Sequence, residues 1–144
     1  MKILILYYSY TGNCKRQAEL LKEQDPTAEL FEVKEKRRYK MFGTVLINCP
    51  KAALRKESAI CEIEVNLKDY DKIIIVAPIW NGYPAPVFNS IVHRLPEKIE
   101  VELFLCSGGG ETPKSKKGTC DLIKKANCKL IAYHDIKTVG TMGK

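Results

Sequence analysis

Residues 2–21 read KILILYYSYTGNCKRQAELL. Lys2 to Ser9 is apolar on both side-chain parities and rich in β-forming residues, the pattern of a strand covered on both faces. Small and turn-forming residues follow at Thr11, Gly12 and Asn13. Cys14, Ala18 and Leu21, with Leu20 beside them, then fall at helical spacing up to an Asp25-Pro26 stop. The chain therefore opens as strand, glycine turn, helix.

The same alternation continues outward from this stretch. Glu29 to Val33 reads as a second strand, Ile73 to Ala77 as the strongest one, and Val101 to Cys106 and Leu130 to Ile136 as two more. Val87, Phe88, Ile91, Val92 and Leu95 make one face of a helix that opens at the Pro84 and Pro86 turn. Cys120, Ile123 and Ala126 make a weaker one. Tyr39, Phe42, Val45, Leu46, Cys49 and Ala53 lie near helical spacing, where Pro50 is expected to kink or break the helix. Strands and helices that alternate with short connections specify an open α/β sheet with right-handed crossovers. There is no internal repeat and no low-complexity linker, so residues 1–144 read as one domain.

Composition sets the outer bounds. With 45% hydrophobic and 28% charged residues the chain is globular, which excludes disorder, collagen-like sequence and coiled coil. The run from Ile73 through Trp80 is too short to cross a bilayer. Met1 and Lys2 lead directly into a core strand, so no signal peptide is read and a cytoplasmic location is expected. A net charge of +7 suits a nucleic-acid face, an acidic partner protein or an anionic ligand without choosing among them. The six cysteines form no C-x-x-C and accompany no paired histidines, so they read as small buried hydrophobes kept reduced, with no metal site.

In open α/β sheets ligands bind beyond the carboxyl ends of the strands, where the strand order reverses. Three loops end the first, third and fourth strong strands, and they differ from the Lys-rich remainder. Ser9-Tyr10-Thr11-Gly12-Asn13-Cys14 joins a strand to a helix start, whose free N–H groups and dipole favour an anion. It lacks the glycines and lysine of a Walker A loop and the spacing of a dinucleotide fingerprint. Pro78-Ile79-Trp80-Asn81-Gly82-Tyr83 carries the only tryptophan, placed to stack on a planar ring, before an Asn-Gly pair that tolerates positive φ. Cys106-Ser107-Gly108-Gly109-Gly110-Glu111-Thr112 offers, at its Ser-Gly-Gly-Gly, backbone without side chains in the way.

Taken in this order, S-x-T-G-N before a helix, A-P-I-W-N-G after the third strand and a glycine-rich loop after the fourth, the chain resembles the flavodoxin family. The resemblance runs from Met1 to about Ile136 and is strongest in residues 2–21 and 73–95. It implies a five-stranded parallel sheet in the order 2-1-3-4-5 with helices on both faces, and noncovalent binding of flavin mononucleotide (FMN). It also implies that Ser9, Tyr10, Thr11, Gly12, Asn13 and Cys14 cradle the phosphate. Trp80 would stack on the flavin ring, with Pro78, Ile79, Asn81 and Gly82 along its edge, and Ser107, Gly108, Gly109 and Gly110 would line the other side. This chain departs from the family pattern in several places. Cys14 stands where the family often has threonine, the third loop has no aromatic residue, and the charge is basic where carriers of the family are typically acidic. The family's closing helix has no counterpart after the fifth strand.

The function implied is electron transfer by an FMN protein, with no residue required as catalytic acid or base. The alternatives are an NAD(P)H-dependent FMN or quinone reductase and a flavin-free interaction module. The partners expected are a redox protein, acidic if charge decides, and a second copy of the chain. That copy would pair on a sheet face left bare by the missing helix, where the later strands are taken as apolar on both parities. Other motifs read as incidental. Cys49 to Arg55 has C-x5-R spacing but no glycine cradle, and Ala77-Pro78 replaces the acid a receiver domain needs. His93 and His134 have no nucleophile spaced to them, and Lys34, Lys36, Arg37, Arg38 and Lys40 lack the aromatic platform of a nucleic-acid site.

Overall fold

The computed structural model of the chain describes residues 1–37 and 48–138. Its strands, in chain order, are β1 (Ile3–Tyr7), β2 (Glu29–Glu32), β3 (Lys72–Trp80), β4 (Tyr83–Pro84), β5 (Glu100–Ser107) and β6 (Lys129–Lys137). The helices are α1 (Asn13–Gln24), α2 (Cys49–Ala53), α3 (Pro86–Val92) and α4 (Lys116–Lys125). The sheet path is β2-β1-β3-β5-β6 with every pair parallel, and the short β4 folds back antiparallel on the end of β3. Leaving that arm aside, this is the order 2-1-3-4-5 that the resemblance implies. The order reverses between β1 and β3, so a ligand cleft is expected at their carboxyl ends.

Strand parity decides the two faces. Leu4, Leu6, Ile73, Ile75, Val101, Leu103 and Leu105 meet Val87, Phe88 and Ile91 of α3 in one buried cluster. Ile5, Tyr7, Ile74, Val76, Phe104 and Cys106 meet Cys14 and Ala18 of α1 in the other. Apolar side chains alternate to opposite faces, so strands that are apolar throughout need cover on both sides. Burial of these side chains is the main force holding the sheet.

The helices differ instructively from their sequence patterns. All seven residues of α3 are buried, beyond the single apolar face its spacing suggests. The segment around Lys56 and Ser58 covers the outer side: Asn89 Nδ2 donates to the Lys56 carbonyl at 2.9 Å, and Ser90 Oγ donates to the Ser58 carbonyl at 2.6 Å. These two bonds offset the burial of the Asn89 amide nitrogen and the Ser90 hydroxyl, while Asn89 Oδ1 has no partner among the described residues. Pro50 is accommodated inside a short helix. It sits in the first turn of α2, where its missing N–H leaves nothing unpaired. Tyr39, Phe42, Val45 and Leu46 of that pattern lie outside the described residues, as do Arg38 and Lys40 of the basic cluster and the residues after Thr138.

The face shared by β3, β5 and β6 is not apolar on both parities, which corrects the sequence reading. Lys72, Glu102 and His134 fall on the α1 side of the sheet beside Ile74 and Phe104. Lys72 Nζ lies 2.5 Å and His134 Nε2 2.7 Å from the Glu102 carboxylate, and the His134 ring stacks on Phe104 at 4.3 Å. Ile74 and Phe104 are 8% and 9% exposed, so this is a mixed surface with its charges paired internally. Burial alone would raise the Glu102 carboxyl, but hydrogen bonds from Lys72 and His134 outweigh it and hold the carboxyl below its ordinary value. A depressed carboxyl contributes stability that is present above the unfolded value near pH 4.3 and is lost as pH falls through the folded one. Glu102→Gln is therefore expected to cost about 1–3 kcal/mol at pH 7. It should also flatten the decline of stability below about pH 4.3, as urea denaturation at several pH values would show.

Candidate functional site

The carboxyl ends of β1, β3 and β5 finish level with one another: Tyr8 N donates to the Val76 carbonyl, and Pro78 is opposite Cys106 in the parallel register. The three glycine- and hydroxyl-bearing loops thus converge on one cleft. Ser9, Tyr10, Thr11, Asn13 and Cys14 line it from the first loop, Pro78 and Trp80 from the second, and Ser107 and Gly108 from the third. Cys106 and Thr138 complete the lining.

The first loop is built around Gly12. Its φ of 101° lies in the left-handed region, and its N–H donates to Ser9 Oγ at 2.9 Å, which closes the turn. α1 then begins at Asn13, and the Gly12 carbonyl accepts from Arg16 N at 3.0 Å as its first helical bond. Neither Thr11 nor Asn13 caps the helix: no side chain does, and the first turn holds no acid. A Cβ added to Gly12 would meet nothing within 4 Å. Open space in front of unpaired N–H groups at the positive end of a 12-residue helix suits an anion. Cys14 lies on the floor, 2% exposed. A hydrogen bond with the Cys106 thiol, and then burial, push its thiol well above the ordinary value, so it stays a neutral S–H.

The second loop is a hairpin. β3 runs on through Pro78 to Trp80, and Asn81 and Gly82, with φ of 52° and 88°, turn the chain so that Trp80 pairs with Tyr83. Two left-handed residues in succession form the tight turn for which Asn-Gly is the favoured sequence. The turn also changes the role expected of Trp80. Its side chain is 1% exposed and packs edge-on against Tyr8 and Tyr10, with ring centroids 6.1 and 5.7 Å away. It forms an inner aromatic wall of the cleft, not an exposed face. Ile79, Asn81 and Gly82 lie outside the lining of the cleft.

The third loop is tied to β6. Gly110 N donates to Ser107 Oγ at 2.9 Å, and Thr138 N donates to the Ser107 carbonyl at 2.9 Å. Gly110 has a φ of 73°, and a Cβ there would come within 2.8 Å of Lys137 Cβ, so only glycine fits. Beneath the loop the Thr112 hydroxyl donates to Asp135 at 2.6 Å and shares a 2.5 Å bond with the Tyr133 hydroxyl. Neither Gly109 nor Gly110 lines the cleft, and Gly110 fixes the turn.

Two lining residues escaped the site read from sequence. Cys106 is the residue immediately before Ser107, and its position at the end of a strand was the signal available. Thr138 carries none, since only the pairing of β5 with β6 brings it there. The empty space between the loops is ≈ 40 Å³, against roughly 300–1,000 Å³ for a small-molecule pocket. Tyr10 and Trp80 are among the residues that line it. Larger clefts of ≈ 490 and ≈ 740 Å³ lie elsewhere, but neither includes residues from these three loops. Cys49 is buried, and burial pushes its thiol up. Arg55 bonds across to Thr119, so the C-x5-R spacing assembles no thiolate site.

Comparison with known proteins fits this geometry. No protein-family model matches the chain, and no curated protein does. Solved structures do. A flavoprotein from Lactobacillus acidophilus NCFM, crystallised in complex with FMN, is similar at 26% identity and a TM-score of 0.76, over 92% of this chain and 91% of that one. The apo-form of the flavoprotein from the same organism matches at 27% identity and a TM-score of 0.70, over 93% and 92%. The flavodoxin of Streptococcus pneumonia TIGR4 shares the fold at 8% identity and a TM-score of 0.54, over 97% and 88%. The chain has the flavodoxin-like α/β fold.

Proposed function

We propose that this chain is a flavoprotein that holds FMN noncovalently in the cleft of the three loops and transfers electrons through it. The observation that carries this reading is the start of α1. Gly12 is left-handed, the space in front of it is open, and no side chain or acid competes for the helix N–H groups. That arrangement suits a phosphate dianion. The likeness to a flavoprotein crystallised with FMN, over nine-tenths of both chains, supports the cofactor assignment.

The residues divide the work by chemistry. The N–H groups that open α1 and the Ser9 and Thr11 hydroxyls would bind the phosphate, and the neutral Cys14 thiol adds a weak donor in place of a hydroxyl. Tyr10, packed edge-on against the inner wall that Trp80 forms, would supply aromatic surface for the ring system, and Ser107 and Gly108 would supply backbone groups for its polar edge. The bound flavin supplies the redox chemistry itself. Among the described residues lining the cleft there is no carboxylate and no histidine. This favours simple passage of electrons over a reaction that needs a protein acid or base.

An absorbance spectrum of the purified chain with and without added FMN, followed by a fluorescence titration, tests the assignment. Saturable quenching of flavin fluorescence is expected, and the reduced complex should pass its electrons to an acceptor such as ferricyanide. A folded chain that shows no saturable quenching at millimolar FMN would exclude the cofactor and leave the interaction module.

A further inference from the structure

The start of α4 presents an electrostatic conflict. The helix dipole places partial positive charge there, no side chain caps it and its first turn has no acid. Most of the charged side chains next to its first turn are also positive. Lys114, Lys116 and Lys117 lie in the sequence at this point, and Arg55 arrives from beyond α2. Arg55 Nη1 donates to Thr119 Oγ1 at 2.9 Å, and Nη2 donates to the Ser115 carbonyl at 3.0 Å. Gly118 makes room for it, since a Cβ at that position would lie 3.0 Å from Nη2.

The guanidinium is half-buried, and burial weakens its hold on its proton; the oxygens of Tyr83 and Tyr133 offset this in part. Among the described residues no carboxylate pairs with it. Asp121 lies 3.8 Å from Lys117, and Asp135 accepts from Thr112. The Ser115 side chain at the helix start is fully buried, and its hydroxyl has no hydrogen-bond partner among the described residues. The N–H groups of Ser115 and Lys116 both reach the Thr112 carbonyl, while those of Lys117 and Gly118 have no backbone acceptor among the described residues. Cations at a dipole's positive end and a desolvated guanidinium without a counter-charge call for negative charge, and the buried Ser115 hydroxyl at the same helix start lacks a partner among the described residues.

We propose that the start of α4, with Arg55, Lys114 and Lys116, is a second anion-binding site that takes a phosphate group. The site adjoins the proposed flavin cleft. The Lys114 side chain lies 3.1 Å from where a Gly82 Cβ would be, and the Arg55 guanidinium lies over the Tyr83 ring at 5.5 Å, on the hairpin that carries Trp80. Resting on the flavoprotein reading, the phosphate belongs to a small phosphorylated electron donor or acceptor that meets the bound flavin.

The test is an amide-resonance titration of the full chain, with FMN present, using inorganic phosphate against sodium chloride at matched ionic strength. Phosphate is expected to shift the Lys117 and Gly118 resonances saturably in the millimolar range, with Gly12 and Asn13 unaffected. Arg55→Gln should weaken this response at least tenfold. Because Arg55 also joins two segments, the double variant Lys114→Gln/Lys116→Gln, made at exposed side chains, provides a second arm and should weaken it about fivefold. A response at Lys117 and Gly118 that chloride reproduces, or that survives both variants, overturns the site. If FMN does not bind, phosphate should shift the two helix starts independently, so failure of the flavin reading is seen separately. Nicotinamide dinucleotides with and without a 2′-phosphate then separate the sources. A tenfold preference for the phosphorylated form identifies the dinucleotide, and no preference with phosphate binding retained identifies another phosphorylated ligand.

Discussion

Asn13→Asp is expected to raise the stability of the chain while sharply weakening its affinity for FMN. Asn13 is the first residue of α1, whose first turn holds no acid. A carboxylate there interacts favourably with the helix dipole, by about 0.3–1 kcal/mol. For a chain of this size that is a rise of roughly 1–4 °C in Tm. The same carboxylate would stand beside the phosphate of a bound flavin. Two unit charges 4 Å apart repel by about 4 kcal/mol at an effective dielectric constant of 20. Salt and side-chain movement reduce this, so a loss of roughly tenfold to a hundredfold in affinity is expected. Thermal denaturation of the apo-protein and fluorescence titration measure the two effects separately. Unchanged affinity with increased stability would place the phosphate somewhere other than the start of α1.

Trp80→Ala is expected to do its largest damage to the fold. A side chain 1% exposed, packed on Tyr8 and Tyr10 within the main core cluster, leaves a large cavity when removed. Such substitutions cost about 3–5 kcal/mol, a large part of the roughly 5–15 kcal/mol that keeps a domain folded. Loss of flavin binding by that variant would therefore say little about stacking. Trp80→Phe keeps most of the core filled and an aromatic face at the cleft. It should lower stability by about 1–2 kcal/mol and affinity by roughly threefold to tenfold, less than the 1–3 kcal/mol of complete removal of a stacking partner. If Trp80→Phe leaves affinity untouched, Tyr10 is the aromatic residue that matters, and Tyr10→Ala should then show the loss.

Arg55, Gly118 and Tyr83 illustrate how charge becomes position. The excess of seven positive charges is a bulk property of the chain. Its use depends on where the strands and helices carry each lysine and arginine. Arg55 lies 64 residues from Thr119 in sequence and 2.9 Å from it in space. The net charge alone is compatible with nucleic acid, protein or small anion, whereas the convergence at α4 favours the last.

What the sequence alone determined was local. The unbroken apolar run of β1, the glycine at a left-handed turn, the Cys14–Ala18–Leu21 spacing and the Asp25-Pro26 stop each act within a few residues, and α1 ends at Gln24 as that stop requires. The Asn81-Gly82 turn and the start of a helix after Gly12 were legible for the same reason. The tertiary structure alone decided the matters that depend on neighbours distant along the chain. Trp80 turns inward because Tyr8 and Tyr10, from the end of β1, stand where the hairpin folds back. α3 is buried all round because residues 56–58 cross its outer side. Glu102 is paired because the order β3-β5-β6 sets Lys72 and His134 on either side of it. Periodicity says which side of a strand faces a core, and strand order and register decide which residues are found there.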